Sequence, residues 1–566
     1  MALIDKASLL MVPSTYEAGK LYNVLPSGNR APDNKGGAGY DQTRADFDFD
    51  RGSNAAASRI NSSGLIEKYR ENSVLYSNGF NDAVWAKVNA LVTSGQTDKD
   101  GGTDAWLLTK SAASGRIQQL LSPSGVQTYS VYAKAGTLKY MRLRTEGTTN
   151  PSCFFDFTNG TIHNNDGFAA SMEDVGGGWY RCSYTIFTAV TRISIYPADG
   201  TGSVSGGSGS IYIQSAQLES GLVATDYLNS TSVTAKAGVL IDLPRINYDA
   251  NGENGALLLE PSRQNLVQYS EYFGAWSDAL GCDIYNNTAV SPEGVQNAAT
   301  ISFGGSADSR AFLSVSASSS TYIFSIYAKS STSKKFRFRI SGSGGTQYSA
   351  DLTTTSEWKR FEFEYTGDIS VVGLTNESSA AGGSVNFYGF QAESGSYVSS
   401  YIPNHSGTGG VTRAADSCSV TGASDVIGGT SGTIFFDIKT NKTLTSTNYK
   451  QFFYYSGVNS ASSYMYISGN NYIVGNPSLG NIVSGTQLEA DTQYKVAITY
   501  KQNDFKLYIN GSLSATRTSG SVIDAVDITS IGSYNGVSEF NEFQFNQYAH
   551  FQEVLSDSEL ATLTTL

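Results

Sequence analysis

A long internal repeat constrains this chain most, because two stretches that repeat must reach one architecture. NSVLYSNGFNDAVWAK, residues 72–87, corresponds to QNLVQYSEYFGAWSDA, residues 264–279. Tyr76 and Ser77 match Tyr269 and Ser270 at an offset of 193. TYSVYAKAGTLKYMRLR then matches TYIFSIYAKSSTSKKFRFR, with Tyr132, Lys134, Arg142 and Arg144 facing Tyr327, Lys329, Arg337 and Arg339 at offset 195. Trp179 and Arg181 face Trp358 and Arg360 at offset 179. Finally Gln217, Glu219, Gly221 and Tyr227 face Gln391, Glu393, Gly395 and Tyr401 at offset 174. The drop from 195 to 179 places a 16-residue trim in copy two, between the Asp156/Asp351 pair and the Trp179/Trp358 pair. Copy one keeps FFDFTNGTIHNNDGF there, and its Asn159-Gly160 pair predicts a two-residue type I′ hairpin.

Both copies are built from short alternating runs. In KFRFRI, Phe336 and Phe338 fall on one face and Arg337 and Arg339 on the other, the period of a half-buried strand. Low charge (16%), 59 Gly and a wealth of Tyr suit many strands with tight turns. The chain is therefore expected to be almost all-β, with three β-sandwich or jelly-roll domains in series behind an extended N-terminal segment. The expected divisions are a segment and connector over 1–71, copy one over 72–228, a connector over 229–263, copy two over 264–405 and a third domain over 408–566. The two connector stretches, rich in Asn, Gly and Asp, read as extended chain lying across sandwich surfaces or neighbouring subunits. In the third domain, Asn510-Gly511 predicts a hairpin, and Ser556-x-x-Glu559 predicts a capping box opening a terminal helix.

Composition removes several functions. A net charge of −12 argues against wrapping a phosphate backbone. Only three His (His163, His405, His550), scattered along the chain, make a catalytic triad implausible. No Gly-x-Ser-x-Gly elbow, P-loop or strand-linked GxGxxG is present. The start is not patterned as a secretory signal, since Asp5 and Lys6 break its apolar stretch. No run approaches the ~18 apolar residues of a membrane span. Cys153, Cys182, Cys282 and Cys418 carry no CxxC; they read as buried thiols, with a Cys153–Cys182 bridge left open.

Some residues invite a binding role. Trp85/Trp276 and Trp179/Trp358 recur and are expected in the cores, whereas Trp106 aligns with Ala299 and is a candidate contact. Tyr454, Tyr455, Tyr464, Tyr466 and Tyr472, with Asn470 and Asn471 in a turn, combine apolar rings with polar tips and amides. They suit a glycan or a subunit surface, or simply fill a sheet. The alternating Asp46, Asp48 and Asp50 could offer oxygens to Ca²⁺, although the Gly and Glu of an EF-hand loop are missing. A solvated strand face is the alternative.

Two resemblances follow from these motifs. SGLIE (residues 63–67) and LLLEPSRQNLVQYSEYFGAWS (residues 257–277), with the downstream YAK, GWYR and QxESG elements, resemble the carbohydrate-binding-module-like sandwiches of bacteriophage tail-fibre, head-fibre and related virion proteins. Glu260, Pro261, Arg263, Asn265 and Leu266 carry the entry motif best; Glu67-Lys-Tyr-Arg70 lacks the Pro. The third domain resembles concanavalin A-like, laminin-G-like jelly rolls. These resemblances imply a non-enzymatic virion protein that uses no cofactor. They imply attachment to other virion proteins through residues 1–70, a homotrimer, and host-surface glycan binding without nucleic acid or membrane insertion. The alternatives are a head- or tail-attached decoration protein making subunit contacts, and a glycan depolymerase.

Overall fold

The computed structural model describes residues 3–15, 46–166, 169–276, 281–306, 308–421, 427, 430–440, 450–457, 462–468, 472–476, 481–522, 526–533 and 543–566. The described chain is nearly all-β and carries one α-helix, Asp557–Thr564, among the described residues. Ser556 and Glu559 form the expected capping box at its start.

Copy one is a sandwich of two six-stranded antiparallel sheets. One runs in the order Ala170–Gly176, Trp179–Ile186, Gln127–Ala135, Gly209–Ser220, Ala105–Lys110 and Ala90–Gln96. The other runs Thr161–His163, Ser152–Asp156, Tyr140–Gly147, Val190–Ala198, Arg116–Leu120 and Ala86–Val88. Their inner faces bury Tyr129, Val131, Met141, Leu143, Tyr184 and Ile195. The alternation read from sequence holds: in copy two Phe336, Phe338 and Ile340 are fully buried while Arg337 and Arg339 are half-buried.

Copy two follows the same path but fuses it. Arg310–Lys329 is one 20-residue strand, and Lys359–Asn376 is one of 18. They pair along their length, with register breaks between Ser314 and Ala317 and between Ala317 and Ser320 that let the sheet bend. In copy one the first of these is split into Arg116–Leu120 and Gln127–Ala135. The intervening LSPSGV carries Pro123, which cannot donate to a ladder. The hairpin kept in copy one pairs Ser152–Asp156 with Thr161–His163. Its turn is not the expected two-residue type I′. Four residues, Phe157 to Gly160, separate the strands, and the Asp156 carboxylate accepts from Thr158 N at 2.8 Å and Asn159 Nδ2 at 2.8 Å. Asp156 thus dictates the longer loop. At Asn510-Gly511 both residues take positive φ (48° and 81°) and Ile509 pairs with Ser512, as the type I′ turn requires.

The third sandwich departs furthest from the expected divisions, because chain from ahead of copy one and from between the two copies is built into it. Leu9–Met11 pairs antiparallel with Gln544–Phe551, Leu9 opposite His550. Ala256–Leu258 pairs with the other end of that strand. Asp46–Asp50 pairs with Ser417–Thr421 in the facing sheet. Leu9, Met11, Phe47, Phe49, Ile246, Leu257 and Leu259 join Phe436, Phe453 and Tyr548 in one core. The residues expected as an attachment segment and connectors therefore supply strands at the margins of both sheets here. An edge left with unpaired N–H and C=O groups is an association hazard, and these segments cover it. Ser8 and His550 reinforce the seam: Ser8 Oγ lies 3.1 Å from His550 Nδ1, and Tyr500 Oη lies 2.9 Å from His550 Nε2.

All four cysteines are free thiols. Burial pushes the Cys153 thiol up to about 12, consistent with an inert core residue. No described helix is long and apolar enough to cross a membrane.

Candidate functional site at the module junctions

The repeated polar residues turn out to be a latch for the chain leaving each sandwich. Asn72 Nδ2 donates to Ala216 O and Leu228 O, and its Oδ1 accepts from Val74 N and Leu218 N. Asn265 repeats all four bonds, to Phe390 O and Ile402 O and from Val267 N and Ala392 N. Gln217 Oε1 accepts from Leu228 N at 2.7 Å, and Gln391 Oε1 from Ile402 N at 2.7 Å. Glu219 Oε1 takes Thr225 N and Glu393 Oε1 takes Ser399 N. Arg181 and Arg360 each lie over a tyrosine ring at 5.3 Å and donate to the exiting carbonyls of Thr225 and Ser399. These bonds satisfy buried and half-buried backbone where the chain turns away from the sheet.

At two positions the latch of copy two departs from that of copy one, and there a charged cluster appears. Asn78 of copy one becomes Glu271, and Gln214 becomes Tyr388. Lys68, on the strand Ile66–Lys68, inserts between Glu271 (2.9 Å) and Glu293. Tyr388 Oη donates to Glu271 at 3.2 Å and also contacts Glu293, while Tyr401 Oη donates to Glu271 at 3.0 Å. His405 Nε2 stands 3.7 Å from Glu271. Burial would raise the Glu271 carboxyl, but Lys68 outweighs it and holds it low. Burial pushes Glu293 up to about 7, with Lys68 opposing and Glu271 adding to the rise. Burial also pushes His405 down to about 4, against the pull of Glu271. One ammonium thus balances one carboxylate, and the second carboxyl holds a proton into the neutral range.

A second network joins the connector, copy two and the third sandwich. Arg245 bridges Glu260 (2.8 Å) and Asp416, Arg413 bridges Glu260 (2.8 Å), and Arg51 reaches Asp416 at 3.4 Å. The side chains of all five are at most 8% exposed. Burial would raise Glu260, yet Arg413 and Arg245 hold it down at about 2. Copy one meets copy two through Phe187 stacked on Tyr272 at 4.1 Å and Asn287 Nδ2 donating to Leu222 O at 3.2 Å. Each junction leaves a cavity. One of about 330 Å³ lies against Tyr327, Arg360, Tyr397 and Lys439. The other, of about 600 Å³, lies between the copies against Tyr69, Arg181, Glu293, Asn297 and His405.

The residues singled out by sequence are distributed differently. Trp85, Trp179 and Trp276 are core, as expected. Trp358 is not: it is half-buried at the surface, its indole N–H donates to Val290 O at 3.0 Å, and Lys329 lies 4.9 Å over its ring. Its strand begins at Lys359, so the ring lies beyond the sheet that would cover it. Trp106 is half-buried against Phe80, with its N–H donated to Asn78 O at 2.9 Å. In the third sandwich Tyr454 pairs in register with Tyr464, Tyr455 with Ser463, Tyr466 with Val474 and Tyr472 with Gln487. Tyr466 is half-buried and alternates with the core residues Met465 and Ile467. Asn470 and Asn471, and the side chains of Tyr454, Tyr455, Tyr464 and Tyr472, lie outside the described residues. So do the side chains of Asp46 and Asp48; Asp50 is exposed and accepts from Gly52 N at 2.8 Å. Among the described residues no three His, Cys, Asp or Glu side chains converge as a metal site.

Sequence reading missed Lys68, Glu271 and Glu293. The available signal was the repeat itself: Glu271 and Tyr388 stand where copy one has Asn78 and Gln214.

Residues 420–561 match the concanavalin A-like lectin/glucanase superfamily, in its laminin G branch. No curated protein matches the chain in sequence. Among solved structures, the CBM40 of the Ruminococcus gnavus IT-sialidase, bound to α2,3-sialyllactose, is 22% identical; the match covers 26% of this chain and 88% of that one, with a TM-score of 0.22. The botulinum neurotoxin serotype G binding domain is 15% identical over 26% of this chain and 39% of that one, with a TM-score of 0.23.

Proposed function

We propose that this chain is a non-enzymatic adhesion protein of a bacteriophage particle that binds glycans on a host surface. The observation that carries the reading is the lectin/glucanase-family match over residues 420–561, which falls on a folded two-sheet jelly roll. The sandwiches supply rigid surfaces with exposed amides and tyrosines, each holding a sugar weakly. A homotrimer multiplies such sites, and linked weak sites gain avidity through effective concentration. The strand Leu9–Met11 lies on the third sandwich. Attachment through residues 1–70 therefore sets that sandwich nearest the particle, followed by copy two and then copy one. This is the reverse of the order expected from sequence.

The test is a glycan array on the full chain, because residues 408–566 alone lack four strands of their own sandwich, Leu9–Met11, Asp46–Asp50, Ile246–Asn247 and Ala256–Leu258. Saturable binding at millimolar sugar or below, without release of reducing ends, supports the proposal. Binding to none of the glycans favours the decoration reading, and released oligosaccharide favours the depolymerase.

A further inference from the structure

We propose that the cavity between the two sandwich copies is a binding site for a short neutral oligosaccharide. The inference rests on the glycan-binding reading above and names its place and ligand class. The space of about 600 Å³ is within the range of small-molecule sites and takes two or three sugar rings. Its wall combines the half-buried ring of Tyr69 with aliphatic side chains such as Leu222, the pairing of apolar and polar surface that a sugar presents.

An independent observation points to a ligand. Asn297 lines the cavity, is only 2% exposed, and its amide oxygen has no hydrogen-bond donor. Buried polar atoms are nearly always satisfied, so a hydroxyl delivered into the cavity supplies the missing donor. The Asn297 amide nitrogen is already committed to Glu293 at 3.4 Å, which fixes the oxygen as the group left over.

Charge decides between neutral and acidic sugars. Lys68 is held by Glu271 and Glu293, and Arg70 donates to Thr225 Oγ1 and Asp226 O. Arg181 donates to Thr225 O and lies over Tyr132. Arg70 and Arg181 bond only neutral oxygens and keep their charge, but the Glu67, Glu219, Asp226 and Glu293 carboxyls line the same wall, four acids against the three cations Lys68, Arg70 and Arg181. A carboxylated sugar would enter a wall in which acids outnumber cations, a cost that a neutral sugar does not meet.

Titration calorimetry of the full chain with neutral gluco-, galacto- and manno-configured trisaccharides tests this, with sialyllactose as the acidic control. Binding of a neutral trisaccharide that weakens at least tenfold in both Asn297→Ala and Tyr69→Ala, but not in Tyr466→Ala, is the expected result. Unchanged thermal midpoints of the variants show that they remain folded; Asn297→Leu, of similar shape but without the acceptor, replaces Asn297→Ala if that variant unfolds. Sugar binding that survives both cavity variants, or that is confined to sialyllactose, overturns the cavity proposal while leaving glycan adhesion standing. An array positive for the full chain, with no cavity-dependent binding, means that water alone satisfies Asn297 and likewise overturns it. An array negative for all glycans removes both proposals.

Discussion

The two repeated sandwiches share a frame and differ at one end. Asn72 and Asn265 make the same four bonds, and the Gln and Glu of the QxESG element hold the exiting chain in the same way in both. Yet Asn78, in copy one, bonds neutrally to Ser215 N and Asp104 O, whereas Glu271, at the matching place, is buried beside Lys68. The difference teaches that the frame is indifferent to what covers its end. Where connector chain packs over it, as in copy two, an ionic cluster has replaced an amide. Recurrent residues mark the scaffold, and departures from recurrence mark the junctions.

Tryptophans offer the largest contrast. Trp85→Ala, in the copy-one core, is expected to cost ~3–5 kcal/mol. Trp358→Ala, at the half-buried surface position of copy two, is expected to cost about 1 kcal/mol. Urea unfolding followed by site-resolved hydrogen exchange measures both, and equal costs would mean that Trp358 is core after all.

The junction cluster should come next. Lys68→Met leaves Glu271 and Glu293 buried without their ammonium, an expected loss of ~3–5 kcal/mol. Asn78→Ala, which removes only neutral bonds, should lose about 1 kcal/mol. Calorimetry should show the Lys68 variant shifting the copy-two transition and leaving copy one in place.

Asn72→Ala and Asn265→Ala sharpen the likeness instead. Each orphans two backbone carbonyls and two N–H groups, for an expected ~2–3 kcal/mol. The two costs should agree within ~0.5 kcal/mol if the latches are equivalent; a larger gap in denaturant midpoints would break the comparison.

The smallest effects concern pH. Glu293 titrates at about 7 in the fold against 4.5 ordinarily, so between these values the folded chain holds more protons than the unfolded one. Stability should therefore fall as pH rises through that window, and Glu293→Gln should abolish the slope. His405, at about 4 against 6.5, holds fewer protons folded, so its contribution rises with pH from 4 to 6.5. His405→Gln should remove that rise. Each slope is ~1.4 kcal/mol per pH unit at most, and neither has a counterpart in copy one, where Thr231 and Asp100 hold the matching places.

Much of the architecture was legible because its signals are local. Period-2 runs, the Asn510-Gly511 turn and the Ser556–Glu559 box each depend on neighbours within a few residues. The DFDFD run shows where locality ends. Its alternation marks a strand, but its acids drew attention to a solvated face or a metal. Its importance to the fold lies on the other face, where Phe47 and Phe49 fill the core of a sandwich in which the run's pairing strand, Ser417–Thr421, lies hundreds of residues away. Nothing within the run specifies that partner. Lys68 is similarly silent, since it meets Glu271 across 203 residues. The Asn159-Gly160 turn departs from its local signature because the Asp156 side chain competes for the turn N–H groups.

The pairing of Leu9–Met11 with Gln544–Phe551 also sets an order of events during synthesis. Ser8 and His550 are 542 residues apart, so the earliest strand waits for the last one. Both repeats can close while the third sandwich still lacks its final strand, because their contacts lie within emerged chain. Until then Leu9 remains uncovered, ready to pair with the closing strand of a neighbouring nascent chain, as Phe47's strand is with another chain's Ser417–Thr421 until its own emerges. Exchange of these strands between chains is thus the misassembly to which this topology is most prone.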